Sequence, residues 1–261
     1  MSIANRDALI AGLAGGVTYA VVKRSGSNAA LVEPARQDAW GYHGSPPPGT
    51  VPSTATICTN VTTGAIPLAT AAAGKNWYIA TWTAANGDSG GEISLWDRLC
   101  HRTVAGNTTT SSLGMLLPAR VTDYSTVCAF VTTTGGMSFT SVQLASYTNQ
   151  AGTTGRVGAT STGASYMTAG GVPTLQLPLA SGDTGIQAVA SFTHAGSTGT
   201  INLILARCLV PGLAPIAEAA TMQGWSSIVN AGPDPCLYVV HNASGVGANR
   251  QVHGLIRAFQ A

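Results

Sequence analysis

The sequence predicts an all-β protein: two tandem antiparallel β-sandwich domains of jelly-roll type, preceded by a short helix and an arm. Three observations carry that expectation. From about residue 56 onward, short β-branched and aromatic runs alternate with Gly/Ser/Thr/Asn turns, the pattern of an antiparallel sandwich. Segments of the two halves align at a nearly constant offset, which is the mark of an internal repeat. Only 8% of the 261 residues are charged although 45% are hydrophobic, against roughly 25% charged in an average soluble domain. Such a chain folds, but it must build its surface from Thr, Ser, Gly, Asn and Ala. A charge-poor surface is a solubility liability unless assembly covers it.

In chain order, residues 2–13 read as a helix, with Ser2 or Asn5 as N-cap and Gly15-Gly16 as the stop. Residues 17–23 (VTYAVVK) read as a strand. Residues 25–55 form an irregular arm whose most distinctive stretch is Pro46-Pro47-Pro48-Gly49. Proline removes backbone donors and favours extended chain, so this is a linker or a docking arm rather than sheet core. Further strands are expected over 77–83, 92–96, 127–132, 138–145, 187–193, 201–205, 237–241 and 251–259. Residues 215–222 are expected to form at most a turn or two of helix.

The repeat places residues 66–70 (IPLAT) over 177–181 (LPLAS), and 80–84 (ATWTA) over 190–194 (ASFTH). Residues 97–99 fall near 206–208, 127–131 on 235–239, and 144–147 on 256–259. The offsets run from 108 to 112, the drift that turn insertions produce. The expected division is therefore an arm at 1–55, one sandwich at 56–155 and a second at 165–261. Deleting the arm should leave two folded domains, with Trp82 and Phe192 on equivalent strands. The tryptophans Trp77, Trp82 and Trp96 are expected in the core, where aromatics dominate burial.

The cysteines fit the same scheme. Cys100 to Cys128 and Cys208 to Cys236 each span 28 positions, so one disulfide per copy is a candidate beside simple burial of the thiols. Cys58 stands alone. No CxxC or clustered His supports a zinc site, and no metal or cofactor is expected.

Chemistry has little support. Residues 87–91 spell GDSGG, the setting of a protease nucleophile, but Ser89 lacks the His base and orienting Asp that the reaction needs. The segment reads instead as a hairpin turn. The five histidines are scattered. Asn60, Asn107 and Asn242 head N-x-S/T sequons, relevant only to a secreted eukaryotic protein. No catalytic residue is assigned, and the chain is read as a non-enzyme. The net charge of +2 gives no basic field for nucleic acid. The longest apolar stretch, residues 8–22, is shorter than a bilayer-crossing helix, so no membrane role is expected.

Five short segments, MSIANRDALIAGLA, DAWGYHGSPPPG, ISLWDRLCHRTV, LLPAR and YTNQAGTTGR, together resemble structural proteins of tailed-bacteriophage virions. The resemblance spans most of the chain and carries no catalytic signature. It implies a virion component assembled in the host bacterial cytoplasm, in head, neck or tail. A compact two-sandwich chain with an N-terminal arm favours a capsid decoration or cement protein among these. A tail, collar or baseplate component is the second reading and a carbohydrate-binding module the third. The implied partners are a major capsid protein or neighbouring virion subunits, together with further copies of the chain, a trimer among the options. Trp40, Pro46, Pro47 and Pro48 are the candidate docking residues of the arm.

Overall fold

In the computed structural model, which describes residues 6–24, 35–86, 91–105, 110–133, 140–162, 173–195, 200–213, 221–223, 228–243 and 251–261, nearly every ordered element is a strand. Helix α1 (Arg6–Ala14) ends at Gly15, whose N–H bonds back to Ala11 O at 3.1 Å. The N-cap candidates Ser2 and Asn5 lie outside the described residues. Gly12 lets α1 approach the sheet: a Cβ there would lie 2.4 Å from the Phe259 ring.

The arm contributes β1 (Val17–Arg24), β2 (Ala35–Asp38), β3 (His43–Ser45) and β4 (Thr56–Ile57). Next come β5 (Trp77–Asn86), β6 (Gly91–Ala105), β7 (Thr110–Leu116), β8 (Val127–Thr133), β9 (Ser141–Asn149) and β10 (Ser161–Thr162). The rest of the chain supplies β11 (Pro173–Gln176), β12 (Ile186–Ala195), β13 (Thr200–Leu213), β14 (Thr221–Gln223), β15 (Val229–Gly232), β16 (Leu237–Ala243) and β17 (Gln251–Gln260). Residues 221–223 are thus strand, while 214–220 lie outside the described residues.

Strand β9 shows the expected alternation, turning Val142, Leu144 and Tyr147 inward. Strands β6 and β13 do not alternate. Residues 93–101 and 201–206 are buried on both faces, which is why they read as continuous runs. These two long strands pair with each other along most of their length and form the spine of the molecule.

Three antiparallel sheets result. In the spine sheet, ladders run β13–β8–β11–β2–β16–β6, and β6 pairs back onto β13, so six strands close into a ring. Strand β4 lies on the free stretch of the β6 edge. A second sheet, β14–β5–β17–β1–β3 with β15 also on β5, covers one half of the ring's outer face. A third, β10–β9–β12–β7, covers the other half. Between each cover and the spine lies an apolar core, one around Trp82, Ile93, Leu95 and Ile256, the other around Leu144, Phe192, Leu203 and Val131. The inner face of the ring holds a third, containing Trp40, Trp96, Phe130, Ile204 and Tyr238. Trp77, Trp82 and Trp96 are all core residues.

The two expected domains are corrected by this topology. Strand β5, from residues 56–155, pairs with β17 and β14. Strand β12, from residues 165–261, pairs with β9 and β7. Every sheet mixes both segments, so no boundary near 155–165 separates them. The exchange is reciprocal: Trp82 faces Ile256 in one cover sheet, and Phe192 faces Leu144 in the other. On the spine, Asp97 pairs with Arg207, and each strand carries one extra residue two positions on, Leu99 and Leu209. Likewise Leu237 pairs with Asp97, and Val127 with Arg207. The spine correspondence is therefore 207 − 97 = 110 residues. That register matches Cys100 with Val210 rather than with Cys208.

Candidate functional site

The charged residues that the sequence spends so sparingly converge on the middle of the spine. Strand β6 carries Asp97 and Arg98 side by side, and alternation sends them to opposite faces. Arg98 points into the ring, where Nη1 donates to Asp38 Oδ2 at 2.7 Å and Nε to His101 Nδ1 at 3.0 Å. Its guanidinium lies 4.4 Å from the Trp40 ring centroid and 5.5 Å from that of Tyr238, a double cation–π contact in a desolvated setting. Burial works against the charge on Arg98, yet Asp38, Cys58 and Tyr238 together raise its pKa. Asp38 Oδ1 accepts from Trp40 N at 2.8 Å and caps the 3-10 turn Ala39–Gly41.

Asp97 points outward, between the two cover cores. It is fully buried and binds two arginines, Arg120 Nη2 at 3.0 Å and Arg207 Nε at 3.1 Å. The Cys236 N–H donates to Oδ1 at 2.9 Å. Arg120 donates onward to Cys58 O at 2.8 Å, and Arg207 to Ala231 O at 2.9 Å. One carboxylate thus ties β6 to β13, to the turn at Arg120 and to the start of β16.

Cys58 and Cys236 meet beside these groups. The Cys58 N–H donates to Leu99 O, and the Arg98 N–H donates to Cys236 O, both at 2.9 Å. Burial disfavours a Cys58 thiolate, but hydrogen bonds from Cys236 and His101 and the nearby Arg98 charge together lower its pKa. Burial and the proximity of Cys58 raise that of Cys236. A thiol beside an imidazole is a nucleophile's environment. Here, however, Cys58 and His101 are 0% and 1% exposed, so the pair lies within packing and not at a cleft.

A cavity of about 370 Å³ opens from the ring beside Arg98, walled by Asp38, Trp40, Thr103, Thr132, Asn202 and residues 49–51. Gly49 and Gly64 pack against the Trp40 indole: a Cβ on Gly49 would lie 2.2 Å from Trp40 Nε1. The glycine that ends the Pro-Pro-Pro-Gly stretch is therefore needed to seat Trp40.

That packing corrects the docking assignment. Trp40 is 3% exposed inside its own chain. Pro46 is buried as well, and Pro47 and Pro48 remain exposed. Nor does β1 wait for a neighbour, since it pairs with β17 over eight residues and with β3 over three. The arm is woven into the fold because β1 pairs on both edges and the Trp40 ring packs against Arg98, His101 and Tyr238.

The disulfide pairings are also corrected, as all five cysteines are free. Strand β13 lies between β6 and β8, so Cys100 and Cys128 are two strand spacings apart and point to opposite faces of the spine sheet. Strand β6 likewise separates Cys208 from Cys236. Two spacings of about 4.8 Å exceed the reach of a disulfide. The matching 28-residue intervals are a coincidence of loop lengths.

Ser89 of the GDSGG segment lies outside the described residues, as does Asn107. Asn60 is buried and donates to Leu68 O at 2.8 Å, so its sequon is inaccessible. Among the described residues, no cluster of His, Cys, Asp or Glu could hold a metal ion, and no helix is long and apolar enough to cross a membrane.

One more buried charge bears on the arm. Lys23 on β1 is 3% exposed, with Nζ 3.3 Å from Tyr42 O and 3.4 Å from Pro47 O. Burial lowers its pKa to about 8, against the opposing pull of Asp38. Between about pH 8 and 10.5 the unfolded chain holds a proton that the folded chain has lost. Stability from this group therefore rises with pH across that window. In paired urea titrations, wild type should gain about 2–3 kcal/mol relative to Lys23→Met from pH 7 to pH 10.5. Parallel pH curves would show that Lys23 is hydrated.

No known protein family matches the chain, and no curated protein matches it. Among solved structures, "Structure of infectious bursal disease virus Gt strain" aligns with 94% of this chain and 81% of that one, at 10% identity and a TM-score of 0.18. The "Crystal structure of infectious bursal disease virus VP2 subviral particle" aligns with 94% and 80%, at 10% identity and 0.16. Scores this low establish no shared fold.

Proposed function

We propose that this chain is a non-enzymatic structural subunit of a bacteriophage virion, and specifically a decoration or cement protein on the outer capsid surface. The observation that carries the reading is where the charge goes. Of only 12 basic and 10 acidic residues, Lys23, Asp38, Asp97 and Arg98 are buried, and the Arg120 side chain is 1% exposed. Burying part of so small a set leaves the outside poorer still in charge. Such a surface suits a subunit packed among neighbours better than a free monomer. The resemblance of the five sequence segments to phage structural proteins points the same way. The nucleophile-like pair, Cys58 and His101, is sealed from substrate.

The carbohydrate-binding alternative loses the platform that the sequence offered, because Trp77, Trp82 and Trp96 are all buried, as is Trp40. A tail, collar or baseplate component remains the second reading, since nothing in the charge argument is specific to the head. Immunogold labelling of purified particles, with antibody raised against the full chain, separates the two. Label spread over the head is the expected result. Label confined to the tail would move the assignment to the second reading, and unlabelled particles would overturn the virion role.

A further inference from the structure

We propose that Cys58 and Cys236 are a redox modification site, two buried thiols placed to form an intramolecular disulfide that locks the spine ring. Both cysteines lie along one edge of β6. Strand β16 runs along it from Ala243 opposite Gly91 to Leu237 opposite Asp97, and β4 continues the same edge with Ile57 opposite Cys100. The two short strands run in the same direction and meet end to end. At the junction, Cys236 O accepts from Arg98 N and Cys58 N donates to Leu99 O, each at 2.9 Å. The cysteines thus sit opposite consecutive residues of β6. Neighbouring stations along the strand are only about 3.3 Å apart, well inside the upper limit of about 6.8 Å between the Cα atoms of a disulfide.

Both side chains lie in the core inside the ring, and their backbones are held in place. Asp97 Oδ1 accepts from Cys236 N at 2.9 Å, and Arg120, paired to the same carboxylate, donates to Cys58 O at 2.8 Å. His101 accepts the Arg98 Nε proton at Nδ1. In that tautomer the other ring nitrogen carries a proton, and the His101 ring hydrogen-bonds Cys58. The two pKa directions agree with this: Cys58 is lowered and Cys236 raised, so Cys58 is the thiol that ionises first.

The chemistry follows with a peroxide as oxidant, small enough to reach a buried thiolate. Cys58 S⁻ attacks one oxygen of hydrogen peroxide, the O–O bond breaks, and Cys58 sulfenic acid and hydroxide form. The Cys236 sulfur then attacks Cys58 Sγ. The S–S bond forms, the S–O bond breaks, and the departing hydroxide takes the Cys236 proton as water. Two thiols lose two electrons, and peroxide is reduced to two waters. The bond would close a loop of roughly 180 residues, most of the chain.

The test oxidises the full-length folded protein with hydrogen peroxide, alkylates remaining thiols in denaturant and maps peptides without reduction. A Cys58–Cys236 linkage is expected, with Cys100, Cys128 and Cys208 alkylated. The oxidised chain should also run faster than the reduced one on a denaturing non-reducing gel. Cys236→Ser should abolish the shift and leave a Cys58 sulfenic acid that dimedone traps. In the wild type, Cys58 and Cys236 both recovered alkylated, each oxidised separately to sulfinic acid, or joined to other cysteines would overturn the proposal.

Discussion

Asp97→Asn is expected to lower the unfolding free energy by about 3–5 kcal/mol, the range found when one partner of a buried ion pair is removed. The carboxylate is fully buried and faces Arg120 and Arg207, whose side chains are 1% and 12% exposed. Burial would lower the Arg120 pKa, and the Asp97 charge is what raises it instead. An asparagine keeps one acceptor oxygen but turns an N–H₂ group toward two guanidinium groups that are still charged. Among the described residues, the ion pair left to offset these two cations is the 3.7 Å contact from Arg120 to Asp234. Urea unfolding followed by tryptophan fluorescence reads the change in midpoint at constant slope. Replacing Asp97, Arg120 and Arg207 together by Leu, Met and Met should recover much of the loss, because the desolvation cost disappears along with the pairing. A single-variant loss under about 1 kcal/mol would mean that water reaches the triad.

That centre was partly legible in the sequence. The run ISLWDRLCHRTV places an acid and a base in the middle of an apolar strand, and a charge there must be paired or exposed. What one strand cannot reveal is its partners. Asp38 comes from the arm, Arg120 from a turn and Arg207 from a strand 110 positions on. The long strands β5, β6, β8, β9, β12, β13, β16 and β17 were visible as β-branched and aromatic runs, because packing fixes their composition. Strands β2, β4, β11, β14 and β15 were not. With two to four residues each, they are defined by the ladder they join rather than by any local preference. Closure of the ring depends on β2 and β11, and this is why the sequence suggested an arm that docks on a neighbour. Cys58 was read as a leftover for the same reason: its neighbour Cys236 is brought to it by β6. The reading of two separate sandwiches failed at a different point. Aligned segments report which strands correspond, and they are silent on whether each strand pairs within its own half or across.

The chain cut between residues 162 and 173 is therefore expected to give two fragments that do not fold alone. The first would keep β5, β6, β8 and β9 but lose the neighbour of each: β17 for β5, β13 for β6 and β8, and β12 for β9. Strand β1 would lose β17 as well. Every long strand of the first fragment would then expose a row of unpaired backbone groups, together with apolar side chains that now fill the two cover cores. The second fragment would fare no better, since β12 and β13 would lack β9, β7, β6 and β8. No stability of the usual 5–15 kcal/mol would remain in either piece. Circular dichroism and urea titration of each fragment should show no cooperative transition. Co-expression should restore a single folded complex of the intact chain's size, because the pairings between fragments are the native ones. A fragment spanning residues 56–155 that unfolds cooperatively by itself would contradict the exchanged-strand topology. The comparison is sharp because the tandem arrangement requires that fragment to fold, whereas the exchanged arrangement removes a partner from every one of its long strands.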